Sequence, residues 1–230
     1  MLIIDVIDGK STKTVTIPTD WEDMTLNYWC GINRIITKYR KKEEFNKNIG
    51  EKDSETPALK ESTLDFLKQR DIIKMNKEIF QYVADVSDED IEFVELSDAM
   101  KVIAAMNVFN EEYKPKGTKS FTLNEKTYFF PKDNLLENTF GDYIEATQLE
   151  MNIEQMTNGY YDVLPEQMAI LCREEGEVYN EERVEEKTEE FKKLTMDTVM
   201  EFSFFLTKRN LLLADTLETY SEEKEEEVEV

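Results

Sequence analysis

Residues 13–26 read KTVTIPTDWEDMTL, a stretch that passes from strand to helix. Alternating threonine and branched apolar side chains are typical of a strand, and Pro18 ends it because proline cannot donate to a ladder. Thr25 then has the side chain of a helix N-cap. Residues 2–7 are also rich in isoleucine and valine, and Asp8-Gly9 is a strong hairpin turn. The sequence therefore predicts a two-stranded hairpin that leads directly into a helix.

A related stretch returns at residues 126–140, which read KTYFFPKDNLLENTF. Both stretches open with Lys-Thr, and in both the expected strand is closed by Pro-x-Asp. Thr139-Phe140 then matches Thr25-Leu26 after one inserted residue. A second hairpin is predicted over 119–131 around the turn at Asn124-Glu125. The matched order of elements suggests an internal duplication of hairpin-plus-helices units.

Helical periodicity predicts the elements that follow each hairpin. The expected helices cover residues 26–39, 62–86, 97–112, a span from Thr139, a span from Pro165, 180–193 and 195–220. The polar residues 46–62, which include Gly50 and Pro57, are expected to form a loop. The predicted fold is α+β, mainly α-helical with two small β-hairpins. Its expected organisation is one unit at 1–114, a second at 115–220, and a disordered acidic tail at 221–230.

Charge narrows the range of partners. The chain carries 51 acidic and 28 basic residues, a net charge of −23. Such a field repels nucleic-acid phosphates and anionic lipid headgroups and favours a basic partner. A simpler interpretation, that the charge only keeps the protein in solution, stays open. The N-terminus turns acidic by Asp5, and the most apolar stretch, 194–206, contains Asp197 and Glu201, so we expect a cytoplasmic protein without a secretion signal or membrane span.

The residues that most enzymes use near neutral pH are missing or scattered. The chain has no histidine, and its seven glycines form no phosphate-binding loop. Cys30 and Cys172 lie in apolar contexts and are expected to be reduced core thiols. Acid pairs such as Glu174-Glu175 fit a solvated helix face better than the tuned pair of a hydrolase. We therefore expect a protein that is not an enzyme and that holds neither cofactor nor metal.

Several aromatic side chains are candidate partner contacts, each with an alternative role in the core. Trp21 precedes the first helix and is expected to pack there more than to anchor a partner. The final helix carries aromatic rings on both sides, which places it at a buried centre or at an interface. Tyr160 and Tyr161 are expected mainly to pack. The candidate partner-binding residues are Trp21, Tyr160, Tyr161, Phe202, Phe204 and Phe205.

Two segments resemble a known group of proteins. Residues 17–26, IPTDWEDMTL, resemble the opening P-x-x-W-x-x-[LMV]-T-[LV] of small structural and assembly proteins of tailed phages, particularly those infecting Bacteroidetes. Residues 139–145, TFGDYIE, resemble the helix start T-[FL]-G-x-[YWF]-I-[DE] of those proteins. An apolar helix at 164–173 and a Phe-rich helix at 199–206 follow in the same order. The long segment 46–62 and the Glu-rich end depart from the pattern.

This resemblance implies a tail-assembly chaperone or virion morphogenesis protein. Such a protein would act in the host cytoplasm or the virion and hold another phage structural protein, such as an aggregation-prone tape-measure protein. No catalytic residues come with the resemblance, and no direct contact with nucleic acid or membrane is expected. The alternative hypothesis is an acidic DNA mimic that inhibits a host nucleic-acid-binding protein, and a carboxylate-based hydrolase is a third class.

Overall fold

The described part of the chain falls into two compact units. A computed structural model describes residues 1–7, 12–52, 57–106, 109, 112–131, 140–151, 153, 156 and 159–211. The units are Met1–Glu112 and Tyr113–Val230, called unit 1 and unit 2 here. The boundary predicted from the sequence follows residue 114. The predicted turn at Asp8-Gly9 and the predicted acidic tail at 221–230 lie outside the described residues.

Unit 1 begins with an antiparallel hairpin and continues with helices. Its elements are β1 (Leu2–Ile7), β2 (Thr12–Ile17), α1 (Leu26–Lys52), α2 (Pro57–Ala84), a 3-10 turn (Ile91–Phe93) and α3 (Leu96–Met106). Leu2 pairs with Ile17 at one end of the hairpin and Ile7 with Thr12 at the other. α1 packs along α2, and α2 also contacts β2 and α3.

The start of α1 follows from its local sequence. The backbone N–H of Tyr28 donates to Oγ1 of Thr25 at 3.3 Å, so the N-cap predicted at Thr25 is confirmed. Ile17, Met24, Leu26 and Ile32 are then buried on the inner side of the hairpin and helix. These apolar contacts anchor the strand-to-helix passage, since burial of each side chain contributes roughly 1.5–3 kcal/mol.

Unit 2 also begins with a hairpin, and its sheet has a third strand. Its elements are β3 (Ser120–Leu123), β4 (Lys126–Phe129), α4 (Phe140–Glu150), α5 (Tyr160–Leu171), β5 (Arg173–Glu174), a 3-10 turn (Glu181–Arg183), α6 (Val184–Phe191) and α7 (196–211). Asn124 and Glu125 have φ values of 51° and 65°, so both central turn residues are left-handed, as a type I′ hairpin turn requires. The predicted mainly helical α+β fold with two small hairpins is confirmed.

The core of unit 2 is built from aromatic rings and from α5. The ring of Phe191 meets the ring of Tyr128 edge-on at 5.0 Å, and Phe121 stacks on Tyr128 at 5.4 Å. α5 is buried on nearly every side from Val163 to Leu171, with Glu166 partly exposed. α5 packs against both α4 and α6, so it is the central helix of the unit.

Two expectations about helix ends are wrong. Most of the predicted loop at 46–62 is helical, because α1 runs to Lys52 and α2 starts at Pro57. Lysine and glutamate are good helix formers, and proline suits a first helical turn, so the polar composition of this segment did not mean a loop. The helix predicted to open at Pro165 starts at Tyr160 instead, with Pro165 buried inside it. Burial of α5 offsets the ~3 kcal/mol that an interior proline costs.

Over the residues that the structure describes, no helix combines the length and the apolar character that a membrane span needs.

Candidate protein-binding surface

The most acid-rich described part of unit 1 follows α2. Residues 85–98, called the acidic segment here, contain seven carboxylates and neither lysine nor arginine. Asp85 ends α2 with a left-handed φ of 50°, and the N–H of Val86 donates to the carbonyl of Gln81 at 3.0 Å. This is a Schellman-type helix end with aspartate in the position that glycine usually takes.

A capped turn holds the middle of the acidic segment. The N–H of Asp90 donates to Oγ of Ser87 at 3.1 Å, and the Ser87 hydroxyl donates to the Asp90 carboxylate. Ser87 and Asp90 thus close a turn at residues 87–90. It leads into the 3-10 turn that carries Phe93, and α3 begins three residues after that ring.

Lysines from outside the segment neutralise only part of its charge. Nζ atoms of Lys13, Lys77 and Lys101 lie 2.6, 2.9 and 2.8 Å from carboxylate oxygens of the segment. The partners of these lysines are Asp85, Asp88 and Asp98. The lysine hydrogen bonds hold the pKa of Asp85 and that of Asp88 below the usual value. The described residues place no lysine or arginine in ion-pair contact with the other four carboxylates, which are Glu89, Asp90, Glu92 and Glu95.

Three large apolar side chains are exposed within and beside this charge. Phe93, Leu96 and Met100, called the apolar stripe here, are 61 %, 77 % and 56 % exposed. Leu96 and Met100 are four residues apart, so they lie on one face of α3. The buried face of α3 carries Val102 and Met106 instead. α3 therefore has apolar side chains on both its buried and its exposed face.

Comparison with known proteins adds no assignment. No family model, no curated protein and no solved structure matches this chain.

Trp21, the candidate contact in unit 1, lies in an aromatic cluster. Its ring meets the ring of Trp29 at 5.6 Å and that of Phe109 at 5.0 Å, both edge-on. Edge-to-face pairs of this kind contribute about 0.5–1.5 kcal/mol beyond burial. Trp21 remains half-buried, and its role as a partner contact stays a prediction.

The other candidate contacts lie in unit 2, on α5 and α7. The structure brings the rings of Phe202 and Phe205 within 6.1 Å of each other, and both face Phe130. Phe202 is fully buried, whereas Phe204 and Phe205 are half-buried. Tyr160 and Tyr161 occupy the first turn of α5 and are half-buried, and burial raises the pKa of Tyr160 to about 12. These rings pack within unit 2, and their use by a partner stays a prediction.

A buried lysine in unit 2 was not anticipated from the sequence. Lys187 Nζ donates to the carbonyl of Cys172 at 3.0 Å and to both carboxylate oxygens of Glu177 at 3.2 Å. Burial lowers the pKa of Lys187, opposed by the attraction of Glu177. The sequence offers one weak signal for this burial. Lys187 lies one turn before Phe191, which places it on the apolar face of α6. An ion pair whose charges are both held by partners within the fold more often has a structural role than a catalytic one.

A second buried charge, Glu201 on α7, binds the loop at the start of unit 2. Its carboxylate accepts hydrogen bonds from the Tyr113 hydroxyl at 2.9 Å and from the N–H groups of Lys116, of Gly117 at 2.9 Å and of Thr118 at 3.1 Å. Burial raises the pKa of Glu201, but these hydrogen bonds outweigh it and the pKa is lowered. The three amides form an anion-binding nest that the chain's own carboxylate already occupies.

Unit 1 also has a groove between α1 and α2, with a volume of about 320 Å³. Ile36, Tyr39 and Met75 contribute apolar lining, and the rim is charged. Lys42 pairs with Asp71 at the rim at 2.8 Å. Within the described ranges, no three acidic or cysteine side chains come together as a metal site. Positive and negative charges are mixed around this groove, so it favours no particular ligand, in contrast to the acidic segment.

Proposed function

We propose that this protein is a non-enzymatic binding factor that holds another protein, in the setting of phage tail or virion assembly. The observation that carries the proposal is the apolar stripe, three large exposed side chains beside four carboxylates with which no described lysine or arginine forms an ion pair. Exposed apolar patches on a protein surface commonly mark interaction sites. The phage setting is supported by the likeness of segments 17–26 and 139–145 to assembly proteins of tailed phages.

The charge of the surface indicates how it would work. A net charge of −23 attracts basic partners over long distances and disfavours self-association. The apolar side chains then supply the contact area that long-range attraction lacks. A chaperone needs both properties, because it must capture an aggregation-prone chain and also stay in solution while holding it.

The DNA-mimic alternative has less support from the same surface. A mimic presents carboxylates in place of phosphates, and large exposed apolar groups have no counterpart on the phosphate backbone. Three of the seven carboxylates in the acidic segment are also neutralised by lysines. The two hypotheses differ in the partner that they require.

Affinity capture from infected cells tests the proposal. The full chain, tagged and expressed during infection, is crosslinked, and its partners are identified by mass spectrometry. We expect a virion structural protein, with crosslinks to unit 1. Recovery of a host nucleic-acid enzyme alone, displaced by added duplex DNA, would replace the proposal by mimicry. Recovery of no partner above the level of a tag-only control would reject it.

A further inference from the structure

The apolar stripe has the spacing of a helix-binding face. Leu96 and Met100 lie one turn apart, about 6 Å along α3, and Phe93 lies on the 3-10 turn just before that helix. Amphipathic helices also place their anchors one turn apart when they lie against an apolar surface. A helix that places two or three leucine-sized side chains on one face can cover the stripe.

The surrounding charge selects among such helices. Glu89, Glu92 and Glu95 are exposed, and no described cation pairs with them. A helix with lysine or arginine beside its apolar face would meet these carboxylates as it covers the stripe. A helix flanked by acidic residues would be repelled, since like charges brought together at an interface cost several kcal/mol.

Charge also argues against the chain covering the stripe itself. A second copy carries the same net charge of −23. The segment 221–230 contains six glutamates and one lysine, so it too would be repelled by the acidic segment. The occupant that fits is therefore a different protein with a basic segment.

We infer that the apolar stripe is the docking face for a basic amphipathic helix of the partner protein. Its apolar side chains cover Phe93, Leu96 and Met100, and its lysine or arginine residues meet Glu89 and Glu92 at the edge. This inference rests on the proposed function and specifies the class of segment that the partner presents.

A designed peptide tests the docking face directly. The probe is a fluorescein-labelled helical peptide of about 18 residues with leucines at the i, i+3, i+4 and i+7 spacing and lysines on both flanks. One control peptide has the same composition with the leucines moved off a single face, and another has glutamate in place of lysine. Binding to the full chain is measured by fluorescence anisotropy at two salt concentrations. We expect binding of the lysine peptide alone, and weaker binding at high salt.

Two matched double variants locate the site. Leu96→Ser with Met100→Ser removes most of the stripe and should weaken binding of the lysine peptide at least tenfold. Phe66→Ser with Ile73→Ser changes side chains on α2 that are 66 % and 70 % exposed but lie outside the acidic segment, and should change binding less than twofold. Far-UV circular dichroism checks that both variants fold, as expected for exposed positions.

Three results with the peptides and the double variants would overturn the inference. One is failure of the wild-type chain to bind the lysine peptide, and another is equal loss of binding in both double variants. The third is concentration-dependent dimerisation that disappears in the Leu96→Ser, Met100→Ser variant, because a second copy would then be the occupant. Capture from infected cells distinguishes failure of the docking face from failure of the binding function. If wild type and this variant recover the same partner equally, the docking face is wrong and the binding function stands.

Discussion

Replacing Glu201 by glutamine should destabilise unit 2, because the carboxylate holds the loop at residues 113–118. Each carboxylate oxygen accepts two hydrogen bonds, Oε1 from Tyr113 and Lys116, Oε2 from Gly117 and Thr118. Glutamine has nearly the same shape but only one acceptor oxygen. Its NH₂ group must therefore face two donors in whichever orientation it takes.

The size of the effect follows from those hydrogen bonds. A hydrogen bond to a charged group contributes roughly 1.5–3 kcal/mol, and two of the four are lost. If the Tyr113 hydroxyl turns and accepts from the amide, part of the loss is recovered. We expect Glu201→Gln to lower the free energy of unfolding by about 3 kcal/mol and the melting temperature by roughly 10 °C.

The loss of stability caused by Glu201→Gln should become smaller as the pH falls. The folded-state pKa of Glu201 is lowered, so the carboxylate form is favoured by folding. Its contribution is complete above the unfolded pKa of about 4.3 and is lost as pH falls through the folded pKa. Because glutamine does not titrate, the stability difference between wild type and variant should be constant from neutral pH to about pH 5 and shrink in more acidic solution.

Urea unfolding at several pH values measures this difference, and hydrogen exchange locates it. The amides of Gly117 and Thr118 should exchange faster in the variant, because they lose their acceptor. Glu175→Gln, at an exposed turn position, is the matched control and should change neither quantity. A loss below 0.5 kcal/mol (roughly the scatter of surface substitutions) would show that the carboxylate does not hold the loop. A difference that persists unchanged below the folded pKa would show that the charge of Glu201 does not stabilise the loop.

Three further substitutions test the packing. A Cβ on Gly31 would lie 2.1 Å from Oη of Tyr82, so Gly31→Ala should lower the free energy of unfolding by about 1 kcal/mol in the wild-type background. In a Tyr82→Ala background the clash is gone, and the same substitution should raise the free energy of unfolding by about 0.5–1 kcal/mol. Thermal melts can detect this change of sign. The buried hydroxyl of Tyr128 meets no hydrogen-bond partner among the described residues. Tyr128→Phe should therefore raise the free energy of unfolding, measured in urea, by about 1 kcal/mol, and a decrease would contradict this prediction. Lys187→Met removes the buried cation of Glu177, which keeps Arg183 at 3.4 Å and the N–H of Glu174, and should cost about 2 kcal/mol by the same assay. Adding Glu177→Gln should restore part of this loss, and no restoration would mean that Lys187 acts through packing alone.

Much of the secondary structure was predictable because its signals are local. Both hairpins were expected, and the turn at Asn124-Glu125 and the N-cap at Thr25 are as predicted. The errors arose where local signals conflict with burial. Pro165 is a strong helix-start signal, yet α5 extends five residues before it because the whole helix is buried.

The candidate surface was harder to predict from the sequence. The acid-rich composition of residues 85–98 is visible without a structure, and so is the apolar character of residues 97–112. Which apolar side chains face outward is not visible, because Leu96 and Met106 look equally apolar in the sequence. Only the packing of α3 against α2 and β1 buries one and exposes the other.

Net charge, the missing imidazole and the positions of turns and helix caps can be read from the sequence, because each depends on composition or on residues a few positions apart. The burial of Lys187 against Glu177, the nest of amides around Glu201 and the exposure of Leu96 depend on how distant segments pack. Glu201 lies 84 residues from Gly117 along the chain, and contacts over such separations exist only once the chain has folded. Burial and exposure are properties of these distant contacts, and they set which charges and apolar groups a partner can reach.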